Sequence, residues 1–347
     1  MMQQGEWRIT NPASNVPGFH VSSLYSPWVR WQELVTEWLD AQARPDALAA
    51  FANLRLGETW EDRSNVIELA ELTNHCHPYS APVPNGVGII TCGVDVHEDF
   101  LEVAVWGWGE YEEAFMLDNL QIVGDTAQQQ VWIELKEMLK TTYMNGNNVA
   151  VPISQTIIDS GFATEMVYRA VKSYREDGIN IIAGKGFDGA RAIFEWSRYK
   201  NTGKPRLGLV GSSAAKSILY ARIKSVQVHG PGYVHFPSNV NQEVLEQILG
   251  ERKITVFGKG SAPKQIWKKL RARQDQLDCF VYAYAALHSL SPNILQSMPA
   301  LVQKLSVVKP IIPDVTSPDV APLPPKPRRE YNIKRKNTAL FGSSWLK

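Results

Sequence analysis

Residues 89–108 read IITCGVDVHEDFLEVAVWGW. Two runs rich in β-branched and aromatic residues, 89–96 and 100–108, flank the polar triplet His97-Glu98-Asp99. That is the pattern of two antiparallel strands joined by a compact connection. Side chains alternate along a strand, so Asp95 and His97 share one face while Val94 and Val96 take the other. An aspartate inside an otherwise apolar strand is costly to bury unless it is paired or binds a metal. Asp95 is therefore the first candidate functional residue.

Working outward, residues 113–118 supply a third antiparallel strand, and 127–143 form an amphipathic helix with Val131, Leu135, Met138 and Leu139 on one side. The apolar strand 153–158 runs into Asp159-Ser160-Gly161. A helix over 164–176 and a strand at 179–183 complete a β-α-β unit. A strand at 206–210 precedes a helix from about Ser212 to Arg222. Residues 227–236 (QVHGPGYVHF) read as a hairpin around Gly-Pro-Gly, 242–249 as a short helix, and 274–290 as a long closing helix. Three antiparallel strands, then parallel strands alternating with helices, give an α/β fold of the RNase H-like class, a mixed sheet with flanking helices. The predicted domain covers 89–290. Residues 1–88 form an N-terminal helical and linker segment, with Trp31, Leu34, Val35 and Trp38 at helical spacing and a breaker cluster (VPNGVG) at its end. From Ser291 to Lys347 the chain is Pro-rich and basic, which predicts a flexible tail.

The chain has 347 residues, 36 Lys+Arg against 35 Asp+Glu, and 44% apolar residues, enough for a real core. No window approaches 18 uninterrupted apolar residues and the N-terminus lacks a signal-peptide core, which argues against membrane spanning and secretion. Three scattered cysteines exclude a disulfide scaffold or a paired-cysteine zinc site and fit a reducing cytoplasm. The net charge of +1 hides a gradient. Residues 91–160 carry 2 basic and 12 acidic side chains, residues 161–290 carry 20 and 10, and residues 291–347 carry 9 and 3. The basic half implies a polyanionic partner, or solvated faces; the acidic stretch would repel phosphate unless a cation lay between them.

Three apolar elements each carry one aspartate. Besides Asp95, Asp159 ends the strand IIDSG, at the edge where α/β sheets place ligands. Asp278 lies in the helix QLDCFVYAYAAL, with Asp275 one turn earlier on the same side. Any one of them alone also reads as a cap, a turn former or a salt-bridge partner. In an RNase H-like topology the three converge at one sheet edge. Hard oxygen ligands there suit Mg²⁺ or Mn²⁺, and two such ions about 4 Å apart can serve phosphodiester cleavage.

The segments GVDVHEDFLEVAVWGWGEYEEAF, IIDSGFATEMVY and RQDQLDCFVYAYAAL resemble the nuclease domain of the large terminase subunit of tailed phages, of the lambda type. Upstream, GFHVSSLYSPWVRWQELVTEWLDA and FANLRLGETWED resemble the segment that links the packaging ATPase to that nuclease. KGFDG, LGLVGSSAAKSILYARI and GPGYVHFP are further matches, so the likeness runs from about Gly18 to Leu290. It implies an endodeoxyribonuclease that cuts double-stranded phage DNA during packaging in the host cytoplasm. Asp95, Asp159 and Asp278 stand as the catalytic, metal-binding triad for two ions. Asp275, where the family tends to have glutamate, and His97 stand next to that triad; a loop-edge histidine is also commonly just solvated. The small terminase subunit, the portal and an ATPase subunit or domain are the implied partners.

The family's ATPase requires a P-loop, and the nearest match, Gly211-Ser-Ser-Ala-Ala-Lys216-Ser217, has Ala215 at the required glycine. No ATP hydrolysis is expected from these residues. Lys216 reads instead as a phosphate contact near a helix start, or as a surface lysine. Lys264, Lys268, Lys269, Arg271 and Arg273 lead into the helix of Asp278 and are expected to hold the DNA backbone, or to form a solvated face. Trp106, Trp108, Tyr282 and Tyr284 read as core. The alternatives are another RNase H-like nuclease of the resolvase or integrase type, or a non-catalytic packaging module that docks on the portal or small subunit.

Overall fold

The computed structural model describes residues 6, 8–9, 12–13, 15–42, 45–58, 67–189, 191–198, 203–225, 228–256 and 264–306. The chain divides into two compact units, Met1–Val66 with Arg252–Lys268, and Ile67–Glu251 with Lys269–Lys347. In the first, α1 (Trp31–Ala41) and α2 (Pro45–Phe51) lead into a π-helical turn, Ala52–Leu56. Leu34, Ala41 and Phe51 form its small core. Arg55 makes a forked contact with both oxygens of Glu37, at 2.7 and 2.6 Å.

The second unit holds, in order, α3 (Leu69–Thr73), β1 (Cys76–His77), β2 (Ile89–Val96), β3 (Phe100–Trp108), β4 (Ala114–Val123), α4 (Gln129–Leu139), β5 (Thr142–Met144), β6 (Ala150–Pro152), β7 (Gln155–Asp159), α5 (Thr164–Glu176), β8 (Ile181–Phe187), β9 (Phe194–Trp196), β10 (Gly208–Gly211), α6 (Ser212–Ser225), β11 (Val234–Pro237) and α7 (Gln242–Ile248). Next in the chain, β12 (Glu251–Val256) and β13 (Lys264–Lys269) pair in a separate two-stranded sheet whose residues 252–268 belong to the first unit, and α8 (Asp275–Leu290) and α9 (Ile294–Ser306) of the second unit end the described chain. Among the described residues the main sheet has nine strands in the order β1-β11-β4-β3-β2-β7-β8-β10-β9. β2, β3 and β4 are antiparallel; β7, β8 and β10 continue in parallel from the other side of β2. This is the RNase H-like mixed sheet.

Alternation along β2 divides the core in two. Ile90, Cys92 and Val94 face a cluster with Val131, Leu135 and Val171 of α4 and α5. Thr91 and Gly93 face α8. Thr91 donates to the Ala283 carbonyl (2.7 Å) and accepts from the Trp108 indole (2.7 Å), so the strand face is bonded directly to the helix backbone. At Gly93 a Cβ would lie 1.9 Å from the Cys279 carbonyl oxygen and 2.7 Å from the Ala283 nitrogen. No side chain fits there.

A second fixed point is the turn between β3 and β4. Tyr111 and Glu112 adopt left-handed backbone angles (φ 52° and 61°), which non-glycine residues rarely hold without support. Glu112 has that support: it accepts from Tyr284 (2.7 Å), contacts His288 (2.9 Å) and pairs with Arg222. Burial alone would raise its pKa, but the bonds from His288 and Tyr284 and the charge of Arg222 pull it down to about 2.

The structure departs from the sequence expectation in several places. Residues 234–236 of the expected hairpin lie in the single strand β11, paired in parallel with both β4 and β1. The segment before β2 is not all linker, since α3 and β1 belong to the second unit and Leu72 is fully buried. The tail begins later than Ser291: α9 buries Ile294 and Met298, and its Leu305 carbonyl accepts from Asn145 (2.9 Å). Sequence composition averaged over 291–347 hid this apolar helix behind the proline-rich stretch, which lies outside the described residues.

Replacing Gly93 with alanine is expected to destabilise the domain by about 3 kcal/mol or more, because the added methyl meets backbone rather than a movable side chain. Urea unfolding of G93A against the parent chain measures this; a change below about 1 kcal/mol would contradict the close seating of α8.

Candidate functional site

The register of the parallel pair β2–β7 places Val94 opposite Ile158, so Asp95 and Asp159 stand side by side at the carboxyl ends of neighbouring strands. Helix α8 crosses the same face. Its Asp275, Asp278 and Tyr282 follow at i, i+3 and i+7 and form one stripe. The Tyr282 hydroxyl donates to Asp159 Oδ1 at 2.6 Å. Burial pushes that hydroxyl's pKa well up, and Asp159, Asp95 and Asp278 all add to the rise.

Asp159 and Asp278 both resist ionisation. Burial raises the Asp159 pKa and the nearby Asp95 charge adds to it, against the bond from Tyr282. Burial pushes Asp278 up to about 6; Asp95 and Glu251 add to the rise, while the Lys216 ammonium works against it. Lys216 is buried (7% exposed) and contacts Asp278 at 3.0 Å and Glu251 at 2.9 Å. Burial opposes its charge, yet the two carboxylates outweigh that and hold the amine above the usual lysine range.

A tighter group lies beside these residues. Asp95, His97 and Asp275 present ligand atoms all within 4.8 Å of one another. His97 Nε2 is 3.1 Å from Asp95 Oδ2 and 3.3 Å from Asp275 Oδ1, and these two carboxylates push its pKa up to about 10. Burial works against the Asp275 charge, but His97 and Arg273 more than offset it and keep the carboxyl below its ordinary range. Asp275 and His97, expected beside the triad, thus touch Asp95 directly or through one ring. The donor set is mostly carboxylate oxygen, with more negative charge than Lys216 and His97 neutralise, which suits a hard divalent cation.

Among the expected basic residues, Lys216 departs from its sequence reading. Lys216 is neither a surface lysine nor open to a phosphate, because it is enclosed with Asp278 and Glu251. Arg273 spans Asp275 (2.8 Å) and Glu102 (3.2 Å), and Arg271 pairs with Glu246. Lys264, Lys268 and Lys269 are exposed on β13. Three contributors escaped the sequence reading. Glu102 is buried opposite Asp95 and bonded by Gln276 and Gln121; it carries the same signal as Asp95, an acid in an apolar strand. Tyr282 is one turn after Asp278 and reads as core by its spacing. Glu251 gave no local signal.

A carboxyl whose folded pKa lies above its unfolded value of about 3.9 binds its proton more tightly when folded, so it costs stability once the pH exceeds that value. For Asp278 the cost grows between about pH 4 and pH 6 and is then complete. Asp278→Asn is expected to raise the unfolding free energy by about 2–3 kcal/mol at pH 8 and to change it little at pH 4. Urea denaturation at the two pH values reads this; equal effects at both would contradict the raised pKa.

Comparison with known proteins extends this geometry. Residues 16–298 match the family described as terminase large subunit gpA, endonuclease domain. The chain is 31% identical over 278 residues to the terminase large subunit of Enterobacteria phage P21 and 32% identical over 281 residues to that of Escherichia phage lambda. Each alignment covers 78% of this chain and 43% of the relative, so the chain spans less than half the length of these curated relatives. A solved structure, a mutant nuclease domain of the large terminase subunit gp2 of bacterial virus Sf6 with manganese, is similar at a TM-score of 0.38 and 11% identity. That match covers 62% of this chain and 96% of the other. With a family match across most of its length and acidic residues gathered at the sheet edge, the chain belongs to the gpA endonuclease-domain family of terminase large subunits.

Proposed function

We propose that this chain is a metal-dependent endonuclease that cuts double-stranded phage DNA during genome packaging, with Asp95, Asp159 and Asp278 holding two Mg²⁺ or Mn²⁺ ions. The observation that carries this reading is the side-by-side placing of Asp95 and Asp159 at adjacent parallel strand ends, with Asp159 bonded by Tyr282 of the helix that also carries Asp278. The burial that makes Asp159 and Asp278 reluctant to ionise is a cost that a divalent cation offsets. Bound there, Mg²⁺ or Mn²⁺ supplies Lewis-acid stabilisation at phosphoryl oxygens and acidifies water.

The chain's own residues set up that chemistry. Tyr282 ties down one oxygen of Asp159 and fixes the direction of the other. Lys216 keeps Asp278 oriented and partly neutralised. Asp275 holds His97 against Asp95. Lys264, Lys268, Lys269, Arg271 and Arg273 contribute positive charge for the phosphodiester backbone, contacts that position DNA without reading its sequence. We ascribe no ATP hydrolysis to these residues, because Lys216, the nearest counterpart of a P-loop lysine, is committed to Asp278 and Glu251. The small terminase subunit, the portal and a packaging ATPase remain the proposed partners, in the host cytoplasm. Among the described residues no helix is long and apolar enough to cross a membrane.

Incubation of plasmid DNA with the chain and Mn²⁺ or Mg²⁺ is expected to yield nicked and linear products. Asp95→Ala or Asp159→Ala should fall to background, and Asp275→Asn should lose about 10–100-fold. Full activity in Asp95→Ala would remove the proposed site, and a preference for branched DNA would favour a resolvase-type enzyme.

A further inference from the structure

At the opposite margin of the sheet from β9, four histidines gather where β1 meets β11. His75 and His77 flank Cys76 on β1, His235 lies on β11, and His229 stands in the turn that precedes it. His75 is spoken for: it is fully buried, with its two ring nitrogens at 2.8 Å from the Val234 carbonyl and 3.1 Å from that of Ile223. The other three are not closed off in this way. His77, His229 and His235 each offer a ring nitrogen, and the three atoms lie within 4.8 Å of one another.

We propose that His77, His229 and His235 bind a zinc ion that clamps β1 and the 228–232 turn to β11. Zinc–imidazole bonds of about 2.0–2.1 Å in tetrahedral geometry place ligand nitrogens a little over 3 Å apart. His77 Nε2 and His229 Nε2 already stand 3.0 Å apart. Two ring nitrogens at that separation cannot both carry a hydrogen on the shared line, so at least one presents a lone pair. His229 is exposed on a turn and meets its partner although water is available to it.

The surroundings hold the rings as outer groups hold metal-bound imidazoles. His235 is stacked on Phe115 (4.2 Å between centroids, 2° between planes), and its Nε2 is fixed by Glu113 Oε1 at 2.8 Å. The same carboxylate oxygen accepts from the Gly230 amide (3.0 Å), which ties the turn carrying His229 to the strand carrying His235. The Tyr233 hydroxyl lies 2.9 Å from the same His77 Nε2 that faces His229 and is the partner a zinc ion would displace there. Three nitrogen donors with one position left for water suit zinc and other borderline transition metals, not the hard cations that suit carboxylates. A clamp has mechanical sense here, because β1 is two residues long and joins the sheet through only the pairs Cys76↔Phe236 and His77↔Pro237.

This inference stands apart from the nuclease reading and is tested without measuring cleavage. The full chain, stripped with chelator, is titrated with Zn²⁺ by calorimetry, and bound metal is counted by elemental analysis after gel filtration. The expected result is one tightly held zinc per chain and a melting temperature higher by several degrees. Co²⁺ in its place should give the intense visible absorption of a tetrahedral site. His229→Gln, at an exposed turn, should fold as the metal-free parent does but bind zinc at least tenfold more weakly and lose the cobalt spectrum; His77→Gln should behave likewise. Asp95→Ala should keep the zinc. No stoichiometric zinc, or zinc retained in both histidine variants, or zinc lost in Asp95→Ala, would overturn the proposal.

Discussion

The contact on which the rest of this structure depends is the seating of α8 on β2 at Gly93. Without a side chain there, the helix backbone comes down onto the strand, and Thr91 seals the approach with a hydrogen bond to the Ala283 carbonyl. A Cβ at position 93 would lift the helix. Because Asp275 and Asp278 ride on it, the same contact sets how near they come to Asp95 and Asp159. The sequence GVDV thus couples two requirements in adjacent positions: a missing side chain that admits the helix, and a carboxylate placed for what the helix brings.

The site that results is held under electrostatic strain in the ground state. Burial and mutual repulsion press Asp159 and Asp278 toward protonation, while Lys216 is drawn in as counter-charge and His97 is locked between Asp95 and Asp275. Buried ion clusters of this kind are weak contributors to stability. Their presence beside the buried core fits the metal site proposed above. The proposed zinc clamp has the opposite character: nitrogen donors, no surplus negative charge among its ligands, and a place at the sheet margin where the chain is least secured.

Much of this was legible beforehand because it rests on local periodicity. Strand alternation put Asp95 among apolar neighbours, the strand ending at Asp159 was a continuous apolar run, and helical spacing aligned Asp275 with Asp278. What escaped depends on partners remote in sequence. Nothing near Lys216 shows that Glu251 and Asp278 will enclose it, and a lone Glu251 looks like any surface acid. The Gly-Pro-Gly at 230–232 signalled a reversal correctly, but whether the next strand returns to its predecessor or joins β4 and β1 is decided by tertiary pairing. Tyr282 illustrates a third kind of miss. Its ring is core, as its spacing says, and only its hydroxyl belongs to the site.

The Glu112 turn acquires a different meaning once α8 is seen as the carrier of half the acidic centre. Glu112 grips Tyr284 and His288 near the far end of that helix, and Arg222 of α6 grips Glu112 in turn. Ten residues separate Asp278 from His288, about 15 Å along the axis, and a slide of one residue is about 1.5 Å. Gly93 governs how high the helix rides; the Glu112 anchor governs where along its own axis it stops. The spacing of the carboxylates is therefore indexed from the opposite end of the helix, by the turn between β3 and β4.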